Sequence, residues 1–128
     1  MILIGDTLVP YEPFFCVYDI NAIASTKANS TLLFSYNEKL MKYCSENRLL
    51  YAVKVISLKE AIYANALNAR YIICEKKEAK EVQKVAQNYL FDSKILAIIT
   101  NNDELENIAK DEIDGVIYQH LLNEISIK

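Results

Sequence analysis

The feature that most constrains the fold of this chain is a unit that recurs between residues 31 and 118. Each unit is a short apolar strand rich in β-branched residues, followed by an amphipathic helix that opens on a small polar or charged residue. The strand segments are TLLFS, YAVKV, RYIICE, KILAIIT and GVIY, and the intervening helices begin near Asn37, Ser57, Lys76 and Asn101. Buried strands that alternate with helices in this way predict a mainly parallel sheet with helices packed on it.

Length and hydrophobic content favour a single α/β domain over residues 1–128. The chain has 128 residues, of which 52% are hydrophobic, enough for one packed core. Residues 1–30 form a less regular segment with one or two short strands, residues 31–118 contain the regular units, and residues 119–128 form a tail with an apolar stripe. We therefore predict one sheet of five or six strands.

Two ways of arranging this sheet remain open. The first, which we favour, is an open twisted sheet with helices on both faces, as in flavodoxin and receiver domains. The second is half of a (βα) barrel, since a complete barrel takes about 250 residues. Residues 57–73, SLKEAIYANALNARYII, resemble the helix–strand units of phosphate-binding barrels, but Asn68 stands where those units usually have glycine.

Charge and apolar patterning exclude several classes of protein. The net charge is −3, and the cations are 12 lysines with only Arg48 and Arg70 as arginines, which argues against nucleic-acid binding. No apolar run is long enough to span a membrane, and Met1–Ile4 lacks the features of a secretory signal. Three widely spaced cysteines (Cys16, Cys44 and Cys74) in apolar segments predict reduced, buried thiols and a cytoplasmic location.

No segment carries a specific catalytic or cofactor-binding motif. The only glycines are Gly5 and Gly115, so neither a P-loop nor a dinucleotide-binding loop is present. His120 is the only histidine and no CxxC occurs, so we expect neither a metal site nor a cofactor. Asp19 follows a strand, but the third strand ends without the phosphorylatable Asp of receiver domains. Residues 19–23 also lack the second Asp and the Thr of haloacid-dehalogenase-like enzymes, so we interpret Asp19 mainly as a helix cap.

Any ligand site should lie beyond the carboxyl ends of the strands, where parallel α/β sheets bind their ligands. Lys54 is the most unusual residue there, because it interrupts a strand that is otherwise buried. Lys76 and Lys77 begin a helix, where a bound anion would offset their unfavourable interaction with the helix dipole. The candidate ligand-binding residues are Asp19, Tyr36, Lys54, Ser57, Glu75, Lys76 and Lys77.

Two classes of function follow from these observations. The first is a module that binds a protein partner or a second copy of itself, and it is favoured because catalytic motifs are absent and both termini are apolar. The second is a binder of, or an enzyme acting on, a small metabolite that carries a phosphate or carboxylate. In that case Glu75 or Asp19 would be the acid–base group. The sequence favours the non-enzymatic class without assigning an activity.

Overall fold

The computed structural model describes residues 1–125 and contains seven strands and six helices within that range. The strands are β1 (Ile2–Ile4), β2 (Phe14–Cys16), β3 (Thr31–Ser35), β4 (Tyr51–Lys54), β5 (Tyr71–Glu75), β6 (Lys94–Ile99) and β7 (Gly115–Tyr118). The helices are α1 (Ile20–Ile23), α2 (Glu38–Glu46), α3 (Leu58–Ala66), α4 (Lys76–Asn88), α5 (Leu105–Lys110) and α6 (Gln119–Glu124). A 3-10 turn over Asn102–Glu104 precedes α5.

All seven strands form one open parallel sheet in the order β1-β7-β6-β5-β4-β3-β2. The α/β class and a single open, all-parallel sheet are therefore confirmed. The prediction of five or six strands was wrong, because the three-residue strands β1 and β2 both join the sheet, one at each edge. From β2 to β7 each strand lies beside the preceding one, so successive right-handed crossovers place their helices on the same face.

The two faces of the sheet are covered differently. Helices α1 to α5 pack on one face, where apolar residues such as Met41, Ala64, Val82 and Ile108 form the larger core with the strands. On the other face α6 is the one helix of residues 1–125 that contributes, through Leu121 and Leu122. The predicted apolar stripe of the tail is thus found as far as Ile125, and Ile127 lies outside the described residues.

The face that carries α6 is the inner face of a strongly curled sheet. The rings of Phe14 on β2 and Tyr71 on β5 lie 6.0 Å apart, although β3 and β4 separate their strands. Residues 5–13, which we call the strap, connect the two edge strands. Because Asp6 contacts Tyr118 at the end of β7 and Glu12 contacts Thr31 at the start of β3, the strap runs from the carboxyl end of the sheet to its amino end.

The helix starts predicted from the sequence are formed by the expected caps. The side chains of Asp19, Asn37, Ser57 and Asn101 each accept a hydrogen bond from a backbone N–H in the first turn that follows. Asn68 ends the α3 segment at φ 68°, a conformation that asparagine adopts more readily than most residues. In the part of the chain that the structure describes, no helix is both long and apolar enough to cross a bilayer.

Candidate functional site

Polar residues of the inner face gather at the carboxyl end of the central strands. Tyr51, Val53 and Val55 pack in the helix-side core, so the alternation of a strand turns Lys54 to the inner face with Ala52. The same alternation places Ser35, after Leu33, and Glu75, after Ile73, on the inner face. Ser35, Lys54 and Glu75 form a polar rim at the carboxyl end of the inner face. The inner-face residues that precede them on the same strands are apolar and buried, so the rim borders an apolar surface.

Lys54 is the least typical member of this rim. It is the last residue of β4, lies in register with Ser35 and Ile73 on the neighbouring strands, and is partly buried, although Ile73 beside it is completely buried. Its ammonium group has neither a hydrogen bond nor an ion pair with any residue among 1–125. A lysine in this position has its donors available to a ligand, and an anion is the kind of ligand that would pair with it.

The two lysines that begin α4 have different surroundings. Lys76 forms an ion pair with Glu104, the carboxylate that closes the capping box of the neighbouring 3-10 turn. Lys77 is exposed, and Glu75, which precedes both lysines, makes no side-chain cap. The anion that the sequence predicted beside Lys76 is thus supplied by the chain itself, and Lys77 is the lysine of the pair that is left to solvent.

Tyr36 and Ser57 lie beyond the ends of β3 and β4 and already have local partners. The Tyr36 hydroxyl donates a 3.3 Å hydrogen bond to Glu38, and burial, followed by the charge of Glu38, raises the tyrosine pKa. The Ser57 hydroxyl accepts the N–H of Glu60, whose carboxylate accepts the N–H of Ile56. Ser57 is therefore committed to starting α3, and only its proximity to Lys54 links it to a ligand site.

Asp19 lies at the opposite side of the same edge. Its carboxylate accepts the Ala22 N–H at 2.9 Å, as expected of an N-cap, and it lines an open cavity of about 480 Å³ beyond the ends of β2 and β3. Tyr18, Asn37 and Lys39 line the same cavity. Lys54 is not among the residues that line this cavity.

The seven predicted ligand residues therefore share one edge of the sheet without forming a single cluster. In the described range a 3.0 Å backbone hydrogen bond from the Tyr36 N–H to the Lys54 carbonyl joins two of them, but no side-chain hydrogen bond or ion pair joins any pair. They divide into Asp19 at the β2–β3 side, a central group of Tyr36, Lys54 and Ser57, and a group of Glu75, Lys76 and Lys77 at the start of α4. Their role in ligand binding stays a prediction.

A second polar group at this edge was missing from the sequence-based site. The Tyr118 hydroxyl donates to Asp6 at 2.8 Å and also lies 2.6 Å from the side-chain oxygen of Asn102. Next to it, Glu104 accepts hydrogen bonds from Lys76 and from the backbone and hydroxyl of Thr100. Each of these two groups links loops that follow different strands. The polar atoms named here bond to other residues of the same group, so the two groups stabilise this edge of the sheet.

The side chains at this edge include lysine, serine, tyrosine and carboxylate groups, which can bind a charged ligand. Among residues 1–125, no three histidine, cysteine, aspartate or glutamate side chains are grouped to hold a metal ion. Burial raises the pKa of the Cys44 thiol to about 11 and that of Cys74 to about 12, so neither is a reactive thiolate. Comparisons of the chain with protein-family models and with curated proteins found no match.

Proposed function

We propose that this protein binds a small metabolite bearing a phosphate or carboxylate at the carboxyl end of its sheet, with Lys54 as the central cation. The observation that carries the proposal is the partly buried Lys54 ammonium, which lacks a counter-ion among the described residues. Lys76, in contrast, is neutralised by Glu104. An anion that reaches Lys54 would offset the cost of burying its charge.

The neighbours of Lys54 suit such a ligand. Ser35 is in register with Lys54 on β3, and its exposed hydroxyl can donate a hydrogen bond to an anionic oxygen. Lys77 is exposed at the start of α4 on the same edge of the sheet, where it would add to the positive potential. The apolar inner face below the rim, with Ile73 and Ala52, would contact the uncharged part of the molecule.

The experiment is a binding titration with defined anions and matched variants. Inorganic phosphate, glycerol 3-phosphate and succinate are added to the wild type, to Lys54→Met and to Lys77→Met, and binding is followed by calorimetry and amide chemical shifts. We expect Lys54→Met to weaken binding about tenfold or more, because a hydrogen bond to a charged group contributes about 1.5–3 kcal/mol.

Lys77→Met is the matched control, because it removes an equal charge from the same edge at an exposed position. It should weaken binding much less than Lys54→Met does. Equal losses in both variants would mean that the anions respond only to net charge, and the proposal would fail. Absence of binding by all three anions to the wild type would also refute it.

A second candidate, self-association, is favoured by the middle of the strap. Leu8 is 88% exposed, and the strap presents Val9 and Tyr11 beside it without any charged residue between Asp6 and Glu12. The Asp6 carboxylate accepts the N–H groups of Leu8 and Val9 at 2.8 and 3.1 Å, so this apolar turn is held in one conformation. Preorganised apolar loops lose little entropy on binding a partner.

Sedimentation velocity over a range of concentrations tests this second candidate. The wild type should form dimers at high concentration, and Leu8→Ser should remain monomeric. Leu90→Ser is the control, since Leu90 is 84% exposed but lies at the end of α4. A monomeric wild type, or an equal effect of both substitutions, would exclude self-association through the strap.

A further inference from the structure

A second cavity opens at the amino end of the sheet, opposite the rim that carries Lys54. Its volume is about 570 Å³, and Ile2 on β1 and Leu50 before β4 both line it. β1 and β4 are well separated in the sheet order, so the cavity spans the open end of the curled sheet at the amino ends of its strands, which we call the mouth. Ala69 and the ring of Tyr71 add to its apolar wall.

Two cations stand at this mouth. Arg70 precedes β5 and Lys94 begins β6, and both are exposed residues that line the cavity. The Arg70 guanidinium is oriented, because its Nε lies 3.2 Å from Glu12 and its central carbon lies 5.3 Å from the centre of the Tyr71 ring. A guanidinium has five N–H donors, so this arrangement leaves others for a ligand.

The mouth already binds one carboxylate, that of Glu12 in the strap. Thr31 donates to Glu12 at 2.6 Å, the Tyr71 hydroxyl donates to its other oxygen, and Arg70 pairs with it. These donors come from two segments, β3 and the start of β5, and converge on a single group. Thr31 and Tyr71 are themselves 2% and 5% exposed, so the polar groups are fixed by the surrounding core.

The geometry points to a second ligand site at the amino-terminal mouth that takes a small organic monocarboxylate with a flat apolar body. The carboxylate would bind the outer N–H groups of Arg70 and the Lys94 ammonium, and the apolar body would lie against Ile2, Leu50 and Tyr71. Asp92 also lines the cavity, so a ligand with one negative charge suits it better than a multiply charged phosphate. This site is independent of the proposed function at Lys54.

Benzoate is the probe, with benzyl alcohol as its uncharged counterpart of similar shape. Titration into the ¹⁵N-labelled 128-residue protein should shift the amides of Ala69, Arg70 and Lys94 at the amino end, while those of Ser35 and Lys54 at the carboxyl end stay unchanged. Benzyl alcohol should bind about tenfold more weakly or worse, because it lacks the charge-assisted hydrogen bonds. The map of shifted amides separates this site from the one at Lys54.

Substitutions at the mouth complete the test. Arg70→Met and Lys94→Met should each weaken benzoate binding several-fold, and Lys80→Met, which removes a lysine paired with Asp111 elsewhere, should not. Lys94→Met should leave the fold intact, because the Lys94 side chain makes no hydrogen bond or ion pair within the described residues. A loss of binding in this variant therefore cannot be attributed to misfolding. Shifts confined to the carboxyl end, equal binding of benzyl alcohol, or an equal loss in Lys80→Met would overturn the inference.

Discussion

The hydroxyl of Tyr118 donates a 2.8 Å hydrogen bond to the carboxylate of Asp6, a residue 112 positions earlier in the chain. Tyr118 ends β7 and is 4% exposed, and Asp6 is in the strap that leaves β1. Hydrogen bonds from the Tyr118 hydroxyl and from the Leu8 and Val9 amides lower the pKa of Asp6. Burial of the Tyr118 hydroxyl, followed by its hydrogen bond to Asp6, raises the pKa of Tyr118 to about 12. The bond therefore ties the first strand and the strap to the last strand.

Tyr118→Phe should lower the free energy of unfolding by about 1 kcal/mol, the net value of a typical intramolecular hydrogen bond. The ring is retained, so apolar packing changes little and the loss reports the contacts of the hydroxyl with Asp6 and Asn102. Urea denaturation at neutral pH measures the change. Tyr89→Phe is the control, because Tyr89 is 78% exposed and should give wild-type stability. An unchanged Tyr118→Phe variant would show that the strap is held by its other contacts.

The regular part of the fold could be predicted from the sequence because its signals are local. Each signal involves residues that are close together in the chain. Examples are the apolar strands, the S-x-x-E and N-x-x-E helix starts, and Asn68 after α3. The edge strands could not be assigned so well. Three residues carry little periodicity, and Ile2–Ile4 becomes a strand only because β7, more than a hundred residues later, provides its hydrogen-bonding partner.

The position of the candidate site could be predicted only in part, for a related reason. The edge of the sheet that carries it follows from the parallel fold, and Lys54 is conspicuous because a lysine breaks an apolar strand. Asp6 and Tyr118 gave no such signal, since they belong to a turn and a strand end that meet only after folding. The neutralisation of Lys76 by Glu104, 28 residues away, is likewise a tertiary contact that no local spacing encodes.

Glu104 should make stability depend on pH in the acid range. Its bond from Lys76, followed by those from Thr100 and Asn101, lowers its pKa from 4.5 to about 2. A carboxylate with a lower pKa in the folded state stabilises the fold above its unfolded pKa, so this contribution is present above pH 4.5 and is lost as the pH falls towards 2.

Glu104→Gln should therefore be less stable than the wild type by about 1–2 kcal/mol at neutral pH. The difference should shrink as the pH is lowered through the acid range. Urea denaturation of both proteins across that range measures it. Glu81→Gln, at an exposed position of α4, is the control and should follow the wild type at every pH. A difference that is independent of pH would contradict a role for the Glu104 charge.

Gly115 should be indispensable for pairing β1 with β7. A Cβ at this position would lie 2.5 Å from the Ile2 carbonyl oxygen and 2.6 Å from the Ile2 Cβ, both closer than real contacts allow. Gly115→Ala should thus lower the free energy of unfolding by about 1–3 kcal/mol, as overpacking does. Hydrogen exchange should show the amides of β1 losing protection first, whereas loss spread evenly over β3 to β5 would contradict a local clash.

The three thiols should differ in reactivity although the sequence treats them alike. Cys44 and Cys74 are completely buried in the helix-side core, and their raised pKa values keep them protonated. Cys16 is only partly buried, at the end of edge strand β2, so it is the thiol that solvent can reach. The expectation of three buried thiols is thus met at two positions and wrong at Cys16.

Iodoacetamide should therefore alkylate Cys16 in the native protein and all three cysteines only after denaturation, because reaction requires an accessible thiolate. Mass spectrometry of proteolytic peptides assigns the modified positions. Cys16→Ser is the control and should take up almost no label in the native state. Rapid native labelling of Cys44 or Cys74 would mean that the helix layer opens far more readily than its packing against the sheet implies.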